Sequence, residues 1–300
     1  MSKSAVKNAI NDARAKVIVL RTAGTNCDRE VAFAFQSCGA QADLVHINRL
    51  FSGESRLADY HILVVPGGFT YGDDIASGKI LANELMFRLG EGIRRFIDDG
   101  KLMIGICNGF QVLVRAGILP GPLDDDQAKV RVAGQTATLT NNDSGKFEDR
   151  WVTLKRTGRS LWTEGVDDLL FVPVAHAEGK FIPQDQETLK TLQQNGQIVF
   201  RYATSNGSKP GYPENPNGSV DDIAGITDRT GRILGMMPHP ERHFLFTQHP
   251  YWTRLVKKGQ YGQGAKIFEN GVRYVRQKLL KPTARSQQSA AKSNHIEHIK

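Results

Sequence analysis

Residues 105–109 read Gly-Ile-Cys-Asn-Gly, at the end of the apolar run 101–106. A strand that turns sharply into a helix with a cysteine at the tip is crowded, and glycine on either side relieves the crowding. A helix N-terminus favours the thiolate form of such a cysteine. The backbone N–H of Asn108 then faces the oxygen of a tetrahedral intermediate. The pattern therefore suits Cys107 as a nucleophile in acyl transfer. A buried structural cysteine is the plainer alternative, but the glycine spacing at a strand-to-helix junction favours the nucleophile.

A nucleophilic thiol needs a base. Of the eight histidines, His295 and His298 lie in the C-terminal tail, His61 opens an apolar run and His46 sits within one. His239 differs. It stands in Met237-Pro238-His239-Pro240-Glu241, directly after the apolar run ILGMM. Two prolines fix the backbone around it, and Glu241 can orient the imidazole and stabilise its charged form. Beside a glycine-flanked cysteine this reads as a Cys107-His239-Glu241 triad. Gly67 and Gly68, in the PGG that ends another apolar run, offer backbone N–H groups close to a substrate with no Cβ in the way. Taken alone, PGG is also an ordinary strand-ending turn. Cys27, in the loop TNCDRE, and Cys38, near a helix end, lack flanking glycines at this spacing and are poorer nucleophile candidates. No GxxxxGK[ST], HExxH or GxGxxG pattern occurs, so neither a phosphate cradle nor a metal site is expected.

The elements around these residues are legible. Short apolar runs at 17–20, 43–47, 61–65 and 101–106 alternate with helical patterns at 29–38, 77–99 and 108–116, closed by Gly39, Gly100 and Gly117. Asp28 is placed to cap the first helix. The alternation predicts βαβ units and a parallel sheet buried on both faces, with function at the carboxyl ends of its strands. From about residue 129 the texture changes. VRVAGQTATLT, DRWVTLKR, FVPVAHAEGKF, QIVFRYA and RILGMMPHPE read as strands with few helices between them, an antiparallel extension of the same sheet. Residues 204–222 form a long Gly/Pro/Asn loop, and a last helix is expected near 262–280. There is no internal repeat.

The 300 residues, 40% of them hydrophobic, suffice for one large α/β domain with insertions. No run of about 18 apolar residues predicts a membrane span, and the N-terminus has no signal-peptide core; a cytoplasmic location is expected. Three cysteines without CxxC spacing argue against a disulfide framework. The net charge of +8 resides in residues 257–300, which hold ten Lys/Arg and two Asp/Glu, so the remainder is neutral. No aromatic residues interleave with the charges of the tail, so nucleic-acid binding is not favoured. We divide the chain into an N-terminal extension (1–15), one domain (16–281) and a basic tail (282–300) expected to be disordered.

PGG, GxCxG and HPE in this order resemble a class I (triad) glutamine amidotransferase. VIVLRTAGTNCDREVAFAF, VVPGGFTYGDD, GICNGFQVLVRAGILPG, NNDSGKFEDRW, PVAHAEGKF, NPNGSVDDIAGI and GMMPHPER narrow the resemblance to the glutaminase components of phosphoribosylformylglycinamidine synthases, over roughly residues 16–245. It implies a flavodoxin-like open, mostly parallel sheet flanked by helices, with the antiparallel β extension. Cys107 would form a γ-glutamyl thioester, His239 relay protons and Glu241 orient it. The N–H groups of Gly68 and Asn108 would hold the oxyanion. Gly67, Phe69, Gln111, Ser144 and Phe147 would contact glutamine. No cofactor is implied in this chain. ATP and magnesium would belong to a partner synthetase subunit, which a small bridging subunit would join. The chain is longer than such subunits usually are, RTAGTN replaces a Pro-Gly-Ser-Asn type of first loop, and the Tyr-Gly-Asp-Asp-Ile segment also departs from common versions. The alternatives are another class I glutaminase serving a different synthetase and a non-catalytic flavodoxin-like regulatory protein.

Overall fold

Short runs of Val, Ile and Leu with no polar alternation suit strands buried on both faces, and the computed structural model places them there. It describes residues 14–73, 76–122, 135–256 and 259–280. Strands β1 (Lys16–Arg21), β3 (Ile62–Val65) and β4 (Leu102–Ile106) are buried along their apolar lengths. With β2 (Gln41–His46) they pair in parallel in the order β2-β1-β3-β4. A fifth parallel strand, β11 (Ile233–Met236), joins beside β4. It comes from far along the chain, and its position decides where the site forms. Beyond it the sheet continues antiparallel through β10 (Ile223–Thr227), β9 (Ile198–Ala203), β6 (Glu148–Arg156) and β7 (Leu169–His176), nine strands in all. Strand β5 (Ala137–Thr140) pairs with β8 (Lys180–Pro183) in a separate ribbon.

The helices follow from right-handed crossovers. From β1 the chain steps outward to β2 through α1 (Asp28–Ser37), and from β3 it steps the other way to β4 through α3 (Lys79–Asp98). Opposite steps with one handedness put these helices on opposite faces. The short α2 (Ile47–Phe51) follows β2. On the α1 face, α6 (Ala265–Tyr274) packs with Phe268 edge-on to Phe35, their centroids 5.1 Å apart. Helix α4 (Asn108–Arg115) packs against α3 and the ribbon.

The expected α/β sheet with an antiparallel extension is what forms. Some local expectations differ. Asp28 begins α1 rather than capping it; Cys27 occupies the cap position, and the Asp28 carboxylate pairs with Arg21 at 2.6 Å. His46 ends β2 and accepts the Asn48 N–H to start α2. Helix α5 (Gln186–Gln194), capped by Asp185, was not apparent in a stretch otherwise rich in strands. Its short, polar sequence buries only Thr188 and Leu192, too few to give a helical stripe. Part of VRVAGQTATLT, and the tail at 282–300, lie outside the described residues.

Strand β7 ends the sheet. Along it the backbone of residues 171, 173 and 175 faces away from β6, and the residue without an N–H, Pro173, sits on this outer edge, where its missing donor costs no ladder bond. The edge is covered. The Pro173 carbonyl accepts the His239 N–H at 2.8 Å, the Phe171 carbonyl lies 2.7 Å from His243 Nδ1, and the Ala175 carbonyl lies 3.5 Å from Cys107 Sγ. The extension thus curls round until its last strand meets the carboxyl ends of β4 and β11.

Candidate active site

The register between β4 and β11 brings the sequence-distant pieces together. Gly105 pairs with Gly235 and Ile106 with Met236, so the residues just past each strand emerge side by side. Cys107 donates its N–H to the Met236 carbonyl at 2.8 Å, and His239 follows three residues after Met236. Cys107 itself has φ 53° and ψ −109°. A non-glycine residue there is strained, and such strain is characteristic of sharp strand-to-helix turns that present a nucleophile.

The flanking glycines are required by close approach. A Cβ on Gly105 would lie 2.5 Å from the Gly109 carbonyl oxygen, and one on Gly109 would lie 1.8 Å from the Val65 carbonyl oxygen. Helix α4 therefore starts with its backbone against β4 and β3, and only glycine permits this. Gly67 sits among the reactive groups. A Cβ on it would come within 2.8 Å of His239 Cε1, 3.0 Å of Cys27 Sγ and 3.5 Å of Cys107 Cβ.

His239 is buried and hydrogen-bonded through Nδ1 to Glu241 Oε1 at 2.6 Å. Its Nε2 is buried, with no geometric hydrogen-bond partner among the described residues, and Cys107 is close enough to act on the ring. Burial works against the imidazolium, but the Glu241 carboxylate and the Cys107 thiol outweigh it and hold His239 well above the ordinary histidine range. A base with one nitrogen fixed by a carboxylate and the other free toward a thiol can shuttle a proton.

Asn108 and Gln111 form the floor. Asn108 Oδ1 accepts from Thr70 Oγ1 at 2.8 Å, and Asn108 Nδ2 donates to Gln111 Oε1 at 3.0 Å. Gln111 Nε2 in turn donates to the Glu178 carbonyl at 2.6 Å. Gln111 is buried within these bonds. At the rim, the rings of Phe69 and Phe147 are exposed with centroids 6.2 Å apart. Ser144, half-buried on the same loop as Phe147, accepts the Lys146 N–H. Gly68, with φ 148°, is bridged to Thr25. The first amides of α4 have no partner within the helix.

The sequence ranks Cys27 only as a poorer nucleophile candidate, and the structure sets it beside the imidazole. Cys27 Sγ lies 3.9 Å from His239 Nδ1 and receives a hydrogen bond from Arg242 Nη2 at 3.3 Å. The signal was available. Cys27 follows β1 as Cys107 follows β4, and both cap helices at the carboxyl edge of one parallel sheet. Cys27, His239 and Glu241 offer ligand atoms within 4.8 Å of one another. The 2.6 Å between Nδ1 and Oε1 is a hydrogen-bond length, whereas two ligands of one zinc ion stand more than about 3 Å apart.

The fold and this cleft have clear relatives. The chain belongs to the family of CobB/CobQ-like glutamine amidotransferase domains, whose family model matches residues 14–275. Within it, the chain groups with the PurQ subunits of phosphoribosylformylglycinamidine synthase. It is 46% identical over 268 residues to that subunit of Dehalococcoides mccartyi, covering 88% of this chain and 99% of the relative. It is 42% identical over 271 residues to that of Archaeoglobus fulgidus, covering 87% and 97%. Among solved structures, it resembles a chain of the PurLQS structure from Thermotoga maritima, with a TM-score of 0.65 and 27% identity over 88% of this chain and all of that one.

Proposed function

We propose that this chain is the glutaminase subunit of a phosphoribosylformylglycinamidine synthase, with Cys107 as its nucleophile. The observation that supports this best is the meeting of a strained, glycine-flanked Cys107 with a buried His239–Glu241 pair, in a chain nearly coextensive with PurQ relatives. The Cys107 sulfur attacks the side-chain amide carbon of glutamine as its thiol proton passes to His239 Nε2. The N–H groups of Gly68 and Asn108 receive the oxyanion. His239 gives its Nε2 proton to the departing nitrogen, and ammonia leaves a γ-glutamyl thioester. Water then attacks the thioester as His239 takes its proton. Glutamate departs and the thiol is restored, so glutamine and water become glutamate and ammonia. Glu241 keeps Nδ1 protonated throughout and stabilises each imidazolium. Phe69, Ser144 and Phe147 line the approach for glutamine. Gln111 acts from beneath, holding Asn108.

The ammonia serves the conversion of formylglycinamide ribonucleotide to formylglycinamidine ribonucleotide on a synthetase partner, with a small bridging subunit as a third component. ATP and magnesium are assigned to that partner. No helix among the described residues is long and apolar enough to cross a membrane, which suits a cytoplasmic complex.

The test is a pull-down from native lysate followed by paired assays with glutamine and with ammonia. Cys107→Ala is expected to lower glutamine-dependent synthesis by about 10⁴-fold while ammonia-dependent synthesis continues. Normal glutamine use by the variant would overturn the assignment of the nucleophile, and copurification with an unrelated synthetase would overturn the assignment of the acceptor.

A further inference from the structure

The site contains a second thiol that the chemistry above does not use. Cys27 is 1% exposed and touches both halves of the catalytic apparatus. Through its backbone it holds the glycine loop. The N–H groups of Asn26 and Cys27 both donate to the Gly67 carbonyl, at 3.3 and 3.1 Å. Next to them, the Phe69 N–H donates to Gly24 at 2.9 Å and the Tyr71 N–H to Ala23 at 2.9 Å. The 23–27 loop is thus the template on which 67–71 is laid. Gly24 itself is irreplaceable in this match, because a Cβ there would lie 1.9 Å from the Phe69 carbonyl oxygen.

Through its side chain Cys27 meets the base. Its thiol donates to Asn26 Oδ1 at 3.0 Å and accepts from Arg242 Nη2 at 3.3 Å. Arg242 is held in turn by Glu30, Nε to Oε2, at 3.1 Å. The sulfur therefore lies against His239 Nδ1, in a long hydrogen-bonding contact of 3.9 Å beside the 2.6 Å bond from Nδ1 to Glu241. Water placed there would offer that carboxylate another donor.

Cys27 is not a rival nucleophile. Burial pushes its thiol upward and the Glu241 charge adds to this; the contact with His239 and the charges of His239 and Arg242 do not reverse it. Its backbone, φ −89° and ψ 10°, has none of the strain at Cys107.

We infer that Cys27 is a positioning residue that ties the His239–Glu241 pair to the Gly67-Gly68 loop, so that base and oxyanion donors keep one relative placement. This rests on the assignment of Cys107 and His239 above. The experiment compares Cys27→Ala and Cys27→Ser in the reconstituted complex, with ammonia-dependent synthesis reporting intact assembly. For Cys27→Ala, kcat with glutamine is expected to fall about 10- to 100-fold, with KM changed less than about threefold. The alkaline limb of the pH profile is expected to move, because water reaches the Glu241 side of the base. Cys27→Ser keeps a group that donates to Asn26 and accepts from Arg242, and should recover most of the rate and restore the limb. Wild-type kcat and pH profile in both variants would overturn the inference, as would equal losses without any movement of the limb. If Cys27→Ala proves unstable, Cys27→Ser decides alone, against Asn26→Ala, which removes the acceptor of the thiol. A diazoketone analogue of glutamine separates this from the underlying reading. It should label Cys107 in both Cys27 variants. Labelling of Cys27 in Cys107→Ala, with glutamine still hydrolysed, would sink the nucleophile assignment instead.

Discussion

At the scale of single residues, the site depends on one short hydrogen bond and one strained backbone. The 2.6 Å contact from His239 Nδ1 to Glu241 Oε1 fixes which nitrogen faces Cys107. It also sets the pH range. His239 is raised above its ordinary range against the effect of burial, by Glu241 and Cys107. In the proposed reaction the imidazolium protonates the leaving nitrogen; it is present below that raised pKa and is lost as pH rises through it. Glu241→Gln removes the carboxylate, so the alkaline limb of kcat/KM should move to lower pH and kcat should fall by about 100-fold or more. A limb that stays in place, measured across the alkaline range, would show that Glu241 does not govern the base. The proposed triad stands out in the sequence because its neighbours are unusual: paired glycines around Cys107, paired prolines around His239. Cys27 has no such neighbours. Its part in the site comes from the parallel sheet, which lines up the ends of β1 and β4, and no local pattern in TNCDRE records that.

At the scale of elements, α4 must touch two strands with bare backbone. Gly109 is where this contact is tightest, with the Val65 carbonyl in the place of any Cβ. A backbone atom cannot give way as a flexible side chain can. Gly109→Ala is therefore expected to destabilise the protein by about 3 kcal/mol or more, read as a lower melting temperature, and to abolish glutamine hydrolysis. A stable and active variant would show that α4 can shift outward. The parallel strands were legible as uninterrupted apolar runs, and α3 and α4 as periodic stretches closed by glycine. Strand β11 was legible as a strand, but its place beside β4 was not. Nothing in ILGM distinguishes a strand destined for the parallel half from one in the extension; register is decided by partners that lie 130 residues away in the chain. Helix α5 was missed because its exposed face is polar and its buried face only two residues wide.

At the scale of the whole molecule, the ribbon, the edge strand and the 142–147 loop join around His176. Asn142 Oδ1 accepts the Gly179 N–H at 3.0 Å and faces His176 Nδ1 at 3.1 Å, while Asn142 Nδ2 donates to the carbonyls of Lys146 and His176. The side-chain oxygen thus faces His176, so Nδ1 carries the proton and the buried Nε2 keeps a lone pair. Burial, with the nearby charge of His239, lowers this imidazole to about 3. The unfolded chain takes up a proton near pH 6.5, whereas the folded one does not until about pH 3. Stability is complete above the unfolded value and declines as pH falls from about 6.5 toward 3, by a few kcal/mol from this group. Denaturant titrations at a series of pH values should show that slope, reduced in His176→Gln. An unchanged slope in that variant would place the acid sensitivity elsewhere.

The outer edge of β7 has one more consequence. An unpaired strand at the end of a sheet invites other chains to add to it. Here Pro173 withholds a donor, and its carbonyl is taken by His239. The segment that carries His239 is thus also the guard that keeps a nine-stranded sheet from growing at this edge. Damage to residues 239–243 is then expected to cost solubility as well as turnover, and a purification that loses the protein to precipitate would report on the same contacts as an assay for ammonia.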